Sequence, residues 1–264
     1  MARLFGTKIA QGYDPVNWFF ENDVPSPYFY NKIQPPFRGR SGLVRAFLFS
    51  IAGIPILLAD GILLYTLPGQ AAGLASREEG WILFGGSGAY LVLHFLVRKP
   101  ERMYLWGHEF AHLVAAKLFF RRIHQFHISS RNGGKVVMDG TNVVIDLAPY
   151  LIPLYSVAAF AAAAVFRKAS PWVPDLYLAL ASFLFAMHVL FSAEGFLSGQ
   201  PDVKRSGRLF SAGVVILVLL LWVPCLLAPG VAAGWKGVGA AYGRWFAGAE
   251  ITARGLFRFA ASFF

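Results

Sequence analysis

Cysteine and charge are what this sequence has least of. Cys225 is the one cysteine, so no disulfide closes within the chain and a cysteine-built metal site is excluded. Its neighbours Pro224 and Leu226 mark it as an inert core thiol. Charged residues make up 14% of the 264 positions and hydrophobic residues 56%, whereas a soluble globular domain carries about 25% charged residues. So few charges cannot cover a water-facing surface, and lipid is the expected surrounding; a mean hydropathy of +0.53 agrees. Acidic residues are the scarcer sign, 14 against 24 Lys and Arg. The basic excess sits in short clusters between apolar runs, where lipid headgroups and the positive-inside rule account for it. No nucleic-acid-binding motif accompanies it, so nucleic acid is not an expected partner. Residues 1–40 also lack an uninterrupted apolar run, mixing charge, Pro and aromatics, so membrane insertion is expected to use an internal span.

Present in abundance are apolar runs close to the roughly 20 residues needed to cross a bilayer. Six such spans are read at about residues 43–67, 81–97, 103–120, 142–166, 175–197 and 209–228. Between the third and fourth, residues 126–140 place Ile128, Val136 and Val137 around Asn132-Gly133-Gly134, a turn signal that favours a short β-hairpin. Such a hairpin offers an open edge to which a substrate strand can add. After the sixth span, Lys236, Arg244, Glu250, Arg254 and Arg258 share one face of a helical wheel, with Trp245 and Leu256 opposite, the pattern of an interfacial amphipathic helix.

The expected fold is therefore an all-α polytopic membrane protein of about six transmembrane helices, with a short β-hairpin after the third and an interfacial C-terminal helix. Its expected division is an N-terminal interfacial segment (1–42), two accessory helices (43–102), a three-helix core carrying the hairpin (103–200), a sixth transmembrane helix (201–230) and a C-terminal amphipathic segment (231–264). The aromatic N-terminal arm and the C-terminal helix are the surfaces that protein partners would use. Lys and Arg are more frequent on the side of the N-terminal segment and the 98–102 loop, which predicts cytoplasmic termini, in a bacterial cytoplasmic membrane.

Chemistry concentrates in the third run, at His108-Glu109-Phe110-Ala111-His112. Histidines four residues apart project from one helix face one turn apart and can share a metal ion. The Glu that follows the first ligand is placed to act as a general base on water. Two His and a Glu inside an otherwise apolar run are costly unless they are paired or functional, and metal binding uses all three.

Gly107-His108-Glu109-Phe110-Ala111-His112, followed by the small residues Ala115 and Ala116, resembles the site-2 protease family of intramembrane zinc metalloproteases. The resemblance implies a Zn2+ cofactor, Glu109 as the catalytic residue, a three-span core with a β-hairpin after its first span, and transmembrane protein substrates. The family's third zinc ligand is an Asp in an Asn-Pro-x-Pro-x-Leu-Asp-Gly type motif, and that string is absent here. His188, near the middle of the fifth span, is favoured as the third ligand. Asp202, in Gln200-Pro201-Asp202, is an alternative if its loop folds back into the membrane, and Asp175 is another. A non-catalytic scaffold subunit of a larger membrane complex is the rival reading. An ion carrier using Asp60, His94 and His188 is a more distant one.

Overall fold

The computed structural model describes residues 40–71, 75–129, 133–166, 168–232 and 234–262. The N-terminal arm and the hairpin tip fall outside them. In chain order the elements are α1 (Arg40–Ala71), α2 (Arg77–Val92) running into a π-helical turn (Leu93–Val97), α3 (Glu101–Leu118), β1 (Ile123–Ser129), β2 (Gly133–Met138), α4 (Val143–Leu151), α5 (Leu154–Phe166), α6 (Val173–Ser198), α7 (Pro201–Arg205), α8 (Arg208–Leu227) and α9 (Gly234–Ala261). The protein is a mostly helical, multi-pass membrane bundle with one antiparallel two-stranded hairpin among the described residues.

Four helices are long and apolar enough to cross a membrane: Phe47–Leu67, Arg77–Val97, Val173–Ser198 and Arg208–Leu227. The pair α4 and α5, bent by 63° at its break, makes a fifth if counted as one span. Outward-facing Phe47, Leu58, Phe84, Phe95 and Leu96 are exposed along these helices, where acyl chains rather than water satisfy them.

The bundle differs from the expected six spans at α3. Helices α2 and α6 run parallel: Gly86 abuts Ala179 and Ser182, Tyr90 meets Phe183 edge-on, and His94 reaches Glu194. Between two parallel spans the chain crosses the bundle once, and the bent pair α4 and α5 is that crossing. Helix α3 therefore starts and finishes at one end of the bundle. Its length suits this seat, because 18 residues rise only about 27 Å, short of a hydrocarbon core of roughly 30 Å. Glu101, Arg102, Glu109 and Lys117 also make α3 the poorest in apolar character of these runs.

Helices α1 and α8 are parallel as well, with Phe49 beside Phe210, Ile56 against Gly213, and Leu63 in one cluster with Leu220. The start of α1 and the start of α9 consequently lie at opposite ends of the bundle. The expectation of termini on one side had counted α3 as a crossing. Helix α9 straps the end where α1, α5 and α8 finish and α2 and α6 begin: Val238 and Ala241 pack on Tyr177, Leu178 and Ala163. The fully buried Trp245 donates its indole N–H to Leu63 O at 3.0 Å, while Lys236, Arg244, Glu250, Arg254 and Arg258 face outward. Cys225 is half-buried beside the Tyr242 hydroxyl at 3.2 Å.

Candidate active site

Three elements meet at the end of the bundle that holds α3. The first is α3 itself, whose Gly107, His108, Glu109, Ala111 and His112 are all buried. Gly107 is required there because a β-carbon would fall 2.8 Å from the Tyr155 ring. Tyr155 in turn donates to Met103 O at 2.5 Å, locking α3 onto α5. The His108 and His112 rings lie 5.0 Å apart, centroid to centroid, as their one-turn spacing requires.

The second element is α4, capped by the Asn142 side chain, which accepts from Ile145 N at 2.9 Å. Pro149 has no N–H, so the carbonyl of Ile145, four residues earlier, loses its helical donor. His112 supplies the replacement, its Nδ1 donating to Ile145 O at 2.8 Å. With that proton committed, the Nε2 lone pair of His112 is left for a ligand. The Tyr104 hydroxyl lies 3.3 Å from Nδ1 of His108 and orients the first imidazole in the same way.

The third element is α7. Helix α6 stops at Gly199, whose φ of 71° is the left-handed conformation that glycine adopts without strain. Pro201 then starts α7, and Val203, fully buried in a cluster with Leu147, Tyr150 and Val215, pins that turn against α4 and α8. This reversal carries Asp202 back over α3. Its Oδ2 lies 3.3 Å from His112 Nε2 and 3.7 Å from His108 Nε2. Its Oδ1 faces Arg205 Nη1 at 3.8 Å, and the same guanidinium reaches Asp146 Oδ1 at 3.5 Å. Burial pushes the Asp202 carboxyl up, yet the two imidazoles of His108 and His112 beside it outweigh burial and hold the group well below the usual carboxylate range.

His108, His112 and Asp202 form the one group of potential metal ligands among the described residues, with ligand atoms within 4.8 Å of one another. Four ligands around zinc at roughly 2.1 Å sit roughly 3.4 Å apart, which the observed 3.3 and 3.7 Å match. Two imidazole nitrogens and one carboxylate oxygen suit zinc and leave its fourth position open. Glu109 stands beside this group, 8% exposed, and β2 covers it. A β-carbon on Gly134 would lie 2.3 Å from Glu109 Cγ and 2.6 Å from Oε1.

His188, favoured from sequence as the third ligand, is not in this group, although it shares a small cavity wall with His108. The N–H of Leu154 turns to Ile152 O at 2.7 Å where α4 breaks, which frees Tyr150 O to accept from His188 Nε2 at 3.0 Å. Asp175 sits exposed in the first turn of α6, at the opposite end of the bundle. Asp202 meets the two histidines because α3 is seated at the end of the bundle where α6 stops, so all three side chains share that end. Asp60 does not pair with His94. Neither of its oxygens has a hydrogen-bond partner among the described residues, while His94 bonds Tyr90 OH at 2.9 Å and Glu194 Oε1 at 3.2 Å. Sequence reasoning missed Arg205, Tyr104 and the seat of Gly134 on Glu109. Only the Gly199-Gln200-Pro201 turn ahead of Asp202 carried a local signal.

A helical membrane bundle that sets a His-Glu-x-x-His helix against a returning carboxylate defines the class of membrane metallopeptidases. The sequence model of the family described as Peptidase M50B-like matches residues 87–252, more than half of the chain. The chain belongs to that family, which places it with membrane metalloproteases of the site-2 protease kind. The match reaches from within α2 to within α9, well beyond the core recognisable from the motif alone. Comparison with curated proteins and with solved structures finds no match.

Proposed function

We propose that this protein is an intramembrane zinc metalloprotease that hydrolyses a peptide bond in a membrane-embedded segment of another protein. The observation that carries the proposal is the convergence of His108, His112 and Asp202 within 4.8 Å of one another, with the buried Glu109 next to them. His108 and His112 through Nε2, and Asp202 through Oδ2, would hold the ion. When bound, zinc supplies a Lewis acid that polarises a carbonyl and makes water acidic near neutral pH. Glu109 takes the proton of the attacking water and returns one to the leaving amine. Ile145 O and Tyr104 keep the two imidazoles in the tautomer and orientation that ligation needs. The hairpin on Glu109 keeps bulk water from the carboxylate, and its open edge pairs with the main chain of an unwound substrate. Unwinding is needed because an intact helix hides its carbonyls in internal hydrogen bonds.

The test uses the purified full chain in proteoliposomes with a set of transmembrane-segment substrates, together with metal analysis. The expected result is zinc-dependent cleavage that Glu109→Gln abolishes while zinc is retained. A chain that carries no zinc and cleaves nothing would instead support the scaffold reading.

A further inference from the structure

The carboxylate that completes the cluster is held from behind. Asp202 turns Oδ2 towards the two imidazoles, 3.3 Å from His112 Nε2 and 3.7 Å from His108 Nε2. Its other oxygen, Oδ1, faces Arg205 one turn along α7, 3.8 Å from Nη1. The same nitrogen donates to Asp146 Oδ1 at 3.5 Å, and that oxygen also accepts from the Thr141 hydroxyl at 2.6 Å. One guanidinium nitrogen therefore ties α7 to the first turn of α4 through two carboxylates.

Both ends of this tie are fixed. Asn142 caps α4 by accepting from Ile145 N, and the fully buried Val203 anchors α7. Asp146 itself is 5% exposed. Desolvating a buried ion pair can cost more than the attraction returns, so stability alone is a poor reason to keep one. A carboxylate with both oxygens free can grip a cation through one or through both. Two oxygens on the ion would fill the coordination position that a catalytic site leaves open for water.

We propose that Arg205, held in place by Asp146 and Thr141, is a positioning residue that reserves Oδ1 of Asp202 and so limits this ligand to a single oxygen, Oδ2. The inference rests on the metal-site reading above and gives the reason why the fourth position stays open. Asp146 lies outside the ligand group and acts through the guanidinium alone.

The experiment loads the purified full chain with Co2+, whose visible absorption bands are strong in four-coordinate sites and weak in five-coordinate ones, so that geometry is read directly. Wild type should give the strong bands. Arg205→Met, similar in length but without charge or donors, should lose band intensity as the second oxygen enters, and Asp146→Ala should lose it in the same direction. The double variant should match Arg205→Met, because contributions made through one group do not add. An ion pair that serves only stability would lower the unfolding temperature and leave the spectrum of the folded, Co2+-loaded chain unchanged. If Arg205→Met does not fold, Asp146→Ala decides: weakened bands sustain the inference and wild-type bands overturn it. The inference is overturned, with the metal-site reading intact, if the folded variants bind Co2+ with the wild-type spectrum, or if wild type already shows the weak bands. It falls together with that reading if the wild-type chain takes up neither Co2+ nor Zn2+.

Discussion

Replacing Gly134 with alanine should disable the enzyme without unfolding it or stripping its metal. The new β-carbon would sit 2.3 Å from Glu109 Cγ, 2.7 Å from Cδ and 2.6 Å from Oε1. Carbon atoms in contact are about 3.5–4.0 Å apart, so the carboxylate must withdraw by more than about 1 Å. Such a displacement of a reacting group costs about a hundredfold in rate. The folding cost is small, because the obstructing atoms belong to a flexible side chain and Gly134 is not among the positive-φ glycines. The three atoms nearest the new methyl all belong to Glu109 and none to His108, His112 or Asp202, so a zinc ion held by those three should stay. The assay is single-turnover cleavage of a transmembrane peptide, with zinc content and thermal unfolding measured on the same preparation. Cleavage within about threefold of wild type would refute the claim that the hairpin positions Glu109, as would a parallel loss of zinc.

Other outcomes are expected from the same geometry. Asp202→Ala should lose stoichiometric zinc in metal analysis of the purified chain, whereas His188→Asn should keep it, since His188 bonds Tyr150 O instead. Pro149→Ala restores an N–H that competes with His112 Nδ1 for Ile145 O, so zinc affinity should fall by about 10- to 100-fold, the usual effect of disturbing a ligand's supporting bond; competition with a chromophoric chelator measures it. Gly86→Ala would place a methyl 2.3 Å from Ala179 O and 2.2 Å from Ser182 Oγ, and forcing α2 and α6 apart should cost about 1–3 kcal/mol in denaturant unfolding. Reporter fusions in the 98–100 loop and after residue 262 should report opposite sides of the membrane.

Features set by nearest neighbours along the chain were readable before any coordinates. The His108 and His112 pair follows from helical spacing alone, the hairpin from Asn132-Gly133-Gly134 and its β-branched flanks, and the long apolar helices from run length. The α9 strap was visible as a wheel of charges opposite Trp245. What escaped was decided between elements. Residues 103–120 read as one of six apolar runs, but α3 is not among the helices long and apolar enough to cross, and the parallel packing of α2 with α6 agrees. Reading α3 as a crossing favours His188 over Asp202, whose place beside the histidines depends on the reversal at Gly199. The bond from His112 to Ile145 O was equally hidden, because a proline's missing N–H matters only when a side chain 33 residues earlier is close enough to use the carbonyl.

Because α3 rests at one extremity of the bundle, a polypeptide severed there under the proposed function would be cut near the end of its greasy stretch and not at its middle. One fragment would keep nearly all of its anchor, and its counterpart would keep only a stub.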